Sequence, residues 1–204
     1  MFRPSSRTAL VLSLCCLSAG AFAAEKTRVV NEGGIRDAWM LADGVKLVSP
    51  GYPAQFQARG DDVCIALAYA INPDGTTGDF ALLREWSSAP GAKDEQGYFD
   101  TFASAGAVAL SQWKFKPRPE VARPQRTVTV ATLHFLGKGS VELPALRANC
   151  QIGDLAAVIA EARNSPAERE RLRRDMERAN REASAAQSQV SNPAGSLGKP
   201  IGGR

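Results

Sequence analysis

The sequence predicts an α+β fold: a small antiparallel sheet of three strands with helices packed on one face, followed by a charged C-terminal helix. Three observations carry this expectation. Val63, Ile65, Leu67, Tyr69 and Ile71 alternate with smaller residues at period two, which marks a half-buried strand. Phe99, Phe102, Ala103, Gly106, Ala109 and Leu110 fall near helical spacing, with Val108 the weakest fit. Residues 127–136 are rich in threonine and valine and read as a further strand.

Residues 1–24 read as a cleavable signal peptide. Arg3 and Arg7 precede an apolar run over 9–17, and Ala21-Phe22-Ala23 places small residues at −3 and −1 before Ala24. An uncleaved anchor is the alternative, but a spanning helix needs about 20 apolar residues and this run is shorter. A lipoprotein signal at Cys15 or Cys16 is disfavoured by the residues before them. Cleavage removes two arginines and no acid, leaving 23 basic against 21 acidic residues, a net charge of +2. That excess is too small and dispersed to argue for nucleic acid. Two cysteines remain, Cys64 and Cys150. In an exported chain such a pair is a disulfide candidate, with one buried and one exposed thiol as the other reading.

Residues 25–49 form a lead-in, with turns at Gly33-Gly34 and Ala42-Asp43-Gly44 and short ordered pieces near Trp39 and 45–48. The domain proper spans 50–136. Its first strand, 63–71, carries Cys64, Ala66, Ala68 and Ala70 on the second face, small enough for something to pack closely over them. Asn72-Pro73-Asp74-Gly75 is strong turn chemistry, so a second strand over 79–86 closes a hairpin. A loop over 87–97 leads to the helix at 98–112. Trp113-Lys114-Phe115-Lys116-Pro117 then alternates aromatic and basic residues. A nucleic-acid patch would want several basic residues on one surface with stacking aromatics. Alternation instead puts Trp113 and Phe115 in the core and the lysines in water. The proline-rich stretch 117–124 precedes the last strand.

Beyond a connector at 137–153, the segment 154–190 is helical. Ser165-Pro166-Ala167-Glu168 supplies an N-cap, a first-turn proline and a glutamate at N3. Glu170–Arg174 and Glu177–Arg181 stand at supportive i,i+4 spacing. Leu172, Met176, Ala179, Ala183 and Ala186 make a narrow stripe that could seat a partner helix and so form a homodimer. Being mostly alanine, it reads first as a solvated helix. Residues 191–204 have the composition of a disordered tail.

Enzymatic chemistry finds little support. His134, the sole histidine, lies in a predicted strand, where a structural or surface role is the expectation. Cys64, His134 and Cys150 are too scattered for a zinc site. No dinucleotide-binding or P-loop glycine pattern occurs, and no cofactor is expected. The paired acids Asp61-Asp62 and Asp94-Glu95 read as solvating or capping residues.

Taken in order, Tyr52-Pro53, the strand 63–71, the turn at Gly75, the helix with Phe99, Ala107 and Leu110, and Trp113-Lys-Phe115-Lys-Pro117 before a last strand resemble the carboxy-terminal domain of TonB proteins. The resemblance covers about residues 50–136. It implies a periplasmic domain that binds an extended segment of an outer-membrane receptor, or another envelope protein, by strand addition. The edge it implicates is the last strand, with Thr127, Thr129, Ala131, Leu133 and Phe135 as partner-binding residues. That edge could equally be covered by residues 146–158 or 25–48. The chain departs from TonB transducers in two respects: no histidine lies in its apolar segment, and no long proline-rich spacer follows. A soluble binding module is therefore expected ahead of the alternative, a membrane-anchored energy transducer.

Overall fold

In the computed structural model, residues 27–139 and 141–191 are described; the predicted signal peptide and all but Ser191 of the predicted tail lie outside them. Two short strands come first, β1 (Arg28–Val29) and β2 (Trp39–Leu41), separated by a 3-10 turn over Gly34–Asp37. The hairpin follows as β3 (Val63–Ile71) and β4 (Thr77–Ser87), then the helix α1 (Tyr98–Ser111). A short strand β5 (Phe115–Pro117) and a long one, β6 (Thr127–Phe135), complete the strands. Three helices close the chain: α2 (Leu143–Cys150), α3 (Leu155–Asn164) and α4 (Pro166–Ser191).

The α+β class is as the sequence predicts, with strand, strand, helix and strand in the expected order. The sheet differs in having a fourth strand. Its order is β1-β6-β3-β4, with β1 parallel to β6, and β2 pairs with β5 in a separate antiparallel ribbon. The lead-in is thus built into both sheets. Trp39 explains why: its ring is buried and its indole N–H donates to Thr127 Oγ1 at 3.0 Å. The polar end of a large apolar side chain is satisfied where it is buried.

Both faces of β3 are buried along its whole length: α1 packs on one, and the α2–α3 segment packs on part of the other, where helices on one face only are expected from the sequence. Ile65, Leu67, Tyr69 and Ile71 pack under α1 with Phe80, Phe102, Leu110 and Leu133. On the small-residue face, Ala66 meets Ile152 and Leu155 of the α2–α3 segment. Cys64 is joined by a disulfide to Cys150 at the end of α2, which pins that helix against the same face. The segment 137–153, expected to be a connector, therefore includes a docked helix, opened by Pro144 in its first turn.

Helix α3 is capped by Asp154, whose carboxylate accepts the Ala157 N–H at 3.0 Å. Helix α4 begins at Pro166, as the Ser-Pro signal predicts. It is not a free solvated rod. Ala179 and Ala183 are buried in the main core, so that part of the stripe read as a seat for a partner helix packs on this chain's own α1 and β4. Asn180 accepts the Phe80 N–H, and Arg178 pairs with Asp100 of α1. Small side chains let the helix approach closely, and its charges occupy the remaining faces.

Candidate functional site

Strand β6 has two long edges. One pairs with β3 in antiparallel register from Val63↔Phe135 to Ile71↔Thr127. The other faces the N-terminal segment. There Arg28 lies opposite Thr127 and Val29 opposite Val128, in parallel. The Arg28 N–H donates to Arg126 O at 2.9 Å and the Val30 N–H to Val128 O at 3.0 Å. Past these bonds the segment leaves strand geometry, and side chains continue the cover. Glu32 accepts both the Thr132 N–H at 2.8 Å and the Thr132 hydroxyl at 2.9 Å. Asn31 anchors the segment from behind: its amide donates to Gly153 O and accepts from the Leu155 N–H, each at 2.9 Å. Of the two states open to this edge, the structure has the covered one, and the cover is residues 28–32 instead of 146–158.

Of the five residues implicated as partner-binding, Thr129 reaches the covering segment, its hydroxyl donating to Asn31 O at 3.3 Å; the side chains of the five otherwise point inward. Thr127, Thr129, Ala131, Leu133 and Phe135 all turn onto the α1 face and are between 1 and 8% exposed. In a pleated strand alternate side chains leave by opposite faces, and these five belong to the core face. Val128, Thr132 and His134 are the half-buried ones, on the opposite face. What β6 can offer a guest is backbone N–H and C=O groups along its outer edge, with the Thr129 and Thr132 hydroxyls beside them.

The motif residues form the frame around this strand. The Tyr52 ring meets Phe102 and Phe135 edge-on at 5.5 and 6.4 Å, and its hydroxyl donates to Asp61 O at 2.8 Å. Pro53 precedes a 3-10 turn that buries Phe56. Gly75, at φ +80°, lies so close to β5 that a Cβ would come within 1.8 Å of Phe115 O. The Phe115 N–H donates to Gly75 O at 2.9 Å. Trp113 is half-buried, edge-on to Tyr69, with its indole N–H on Val48 O at 2.9 Å. Phe115 is buried, and Pro117 pairs with Trp39 across the ribbon. Asp62, expected to be solvated or capping, is 1% exposed and accepts the N–H groups of Gly137 and Val141, clasping the turn after β6.

No protein-family model matches the chain, and no curated protein matches it. Among solved structures, the chain is similar to the solution NMR structure of the Pseudomonas aeruginosa TonB CTD, at 20% identity and a TM-score of 0.36. The alignment covers 51% of this chain and 89% of that one.

His134 lies next to the covered edge, opposite Cys64 in the sheet. Its Nε2 is buried without a hydrogen-bond partner among the described residues. Burial above all, and then the Arg147 guanidinium, hold its pKa below the ordinary value, with Glu32 opposing them. Arg147 also pairs with Glu32 at 3.4 Å. Among the described residues no group of three histidine, cysteine or acidic side chains could hold a metal ion. Asn31, Glu32 and Arg147, which fasten the cover, were not singled out by sequence reading. Only the Val29-Val30 pair signals a strand there.

Proposed function

We propose that this protein is an exported, TonB-like binding module whose β6 edge takes up an extended segment of an envelope protein as an added strand. The observation that supports the reading is that this edge already carries an extended segment, held through backbone hydrogen bonds in parallel register. That segment is short: two register pairs, the Glu32 contacts and the Asn31 bonds to Gly153 and Leu155 hold it. A longer guest would offer more backbone bonds than the two-residue strand it replaces, which is the driving force of strand addition. The order of Tyr52-Pro53, Gly75 and the Trp113–Pro117 segment around the strand agrees with the resemblance. In this reading the protein binds and does not catalyse, and residues 28–32 are a displaceable cover.

Titration of the 15N-labelled protein with periplasmic segments of outer-membrane receptors tests this. Amide shifts should concentrate on residues 28–32 and 126–134. Glu32→Ala, which removes the bonds to Thr132, should tighten binding about threefold to tenfold by easing displacement. Absence of binding in both proteins, or shifts confined to another face, would contradict the reading.

A further inference from the structure

A second surface lies on the sheet face opposite α1. The small residues of β3 singled out in the sequence are not all covered in the same way. Cys64 is under α2 and Ala66 under α3, but over Ala68 the two C-terminal helices diverge and leave a groove of about 310 Å3. That volume lies in the range of small-molecule sites, about 300–1,000 Å3. Its walls are aliphatic: Leu83 of β4, Val128 of β6, Ile159 of α3 and Met176 of α4 line it, each only half-buried.

The rim is basic. Arg126, Arg163, Arg169 and Arg173 surround the opening, and Asp79 is the one acidic residue lining it among the described residues. Asp79 is taken by Arg126, and Arg173 is taken by Glu170 and Glu177. Arg163 and Arg169 have no side-chain partner among the described residues. Two unpaired guanidiniums at the mouth of an apolar groove complement an anion attached to something apolar.

The backbone decides between two such occupants. The groove floor is a sheet face, where β3 pairs with β6 along its whole length and with β4 on either side of an irregularity between Ala68 and Ala70. A peptide laid into it would bury its own backbone groups without partners, which is costly. A hydrocarbon chain carries no such groups. The chain's own residues 192–204 are also poor occupants, since they include Lys199 and Arg204 and no acid. We propose that this groove binds a single-chain anionic amphiphile, its hydrocarbon over Leu83, Val128, Ile159 and Met176 and its carboxylate on Arg163 and Arg169. This site is separate from the β6 edge and stands or falls independently of it.

Calorimetric titration of the purified exported protein with laurate, below its micellar concentration, tests the proposal. The comparison ligands are dodecyl maltoside, which keeps the chain without the charge, and acetate, which keeps the charge without the chain. Laurate should bind, and both comparison ligands should bind at least about tenfold more weakly. The double variant R163A/R169A should reduce laurate to the level of dodecyl maltoside, and Ile159→Glu should weaken both dodecyl ligands. Circular dichroism verifies that each variant is folded; the arginines are exposed and have no side-chain partner among the described residues, so their removal leaves the core intact. No laurate binding, or laurate binding unchanged in both variants, would overturn the proposal. So would an acidic peptide competing for the groove more strongly than laurate does.

Discussion

Gly75 stands where the tip of the β3–β4 hairpin touches the backbone of β5, and two constraints meet there. Its φ of +80° is a conformation that side chains make costly, and Phe115 O occupies the place of a Cβ. Gly75→Ala should therefore cost at least about 2 kcal/mol of stability, read as a lower urea midpoint; an unchanged midpoint would show that the hairpin tip is not held against β5. His134 supplies a second residue-scale prediction. Because burial and Arg147 lower its folded pKa, the folded protein resists a proton that the unfolded chain takes up near pH 6.5. The unfolded state then binds more protons, so stability falls as pH drops through about 6.5 and levels off below the folded value. His134→Gln should flatten that part of the stability-against-pH curve. Identical slopes in the two proteins would refute it.

At the scale of elements, the docking of α4 can be tested at one buried position. Ala183 is 4% exposed at the α4 contact, while its neighbour Ser184 is exposed. Ala183→Leu should cost about 1–3 kcal/mol by overpacking, and Ser184→Leu should stay within about 0.5 kcal/mol. Equal effects in urea unfolding would mean that α4 is not docked through this stripe. The elements legible in the sequence were those whose pattern is local: β3 and α1 repeat their own period over nine residues or more, and β6 is rich in threonine and valine over nine. Strands β1 and β2 are two and three residues long and show no period. They exist because of distant partners: Trp39 reaches Thr127, and Glu32 reaches Thr132. The candidate site followed the same division. Its strand could be read from threonine and valine content, but its occupant could not, because the contacts that fix Glu32 span 100 residues. The inward turn of Thr127, Thr129, Ala131, Leu133 and Phe135 was hidden as well, since β6 carries threonine and apolar residues on both faces.

For the whole molecule, the disulfide is the largest single constraint. Cys64 and Cys150 are 86 residues apart in sequence, so the bridge restricts a long loop of the unfolded chain. Replacing both cysteines by alanine should lower unfolding stability by about 2–4 kcal/mol. Thermal melting with and without reductant, compared with the double variant, checks this; coincident curves for all three would show the bridge to be energetically silent. Among the described residues no helix is long and apolar enough to cross a membrane. The proposed export is checked by mass spectrometry of the native amino terminus, which should begin at Ala24 or Glu25.

The same bridge sets a load path. Strands β1 and β2 lie before Cys64, helices α3 and α4 lie after Cys150, and the hairpin, α1, β6 and most of α2 lie between them. Tension applied to the two ends would run along the backbone to Cys64, cross the sulfurs and leave at Cys150. The enclosed segment would carry none of it. Pulled from its termini, the oxidised protein should peel off its outer elements and then stop, withholding roughly 300 Å of contour length that only a reductant releases.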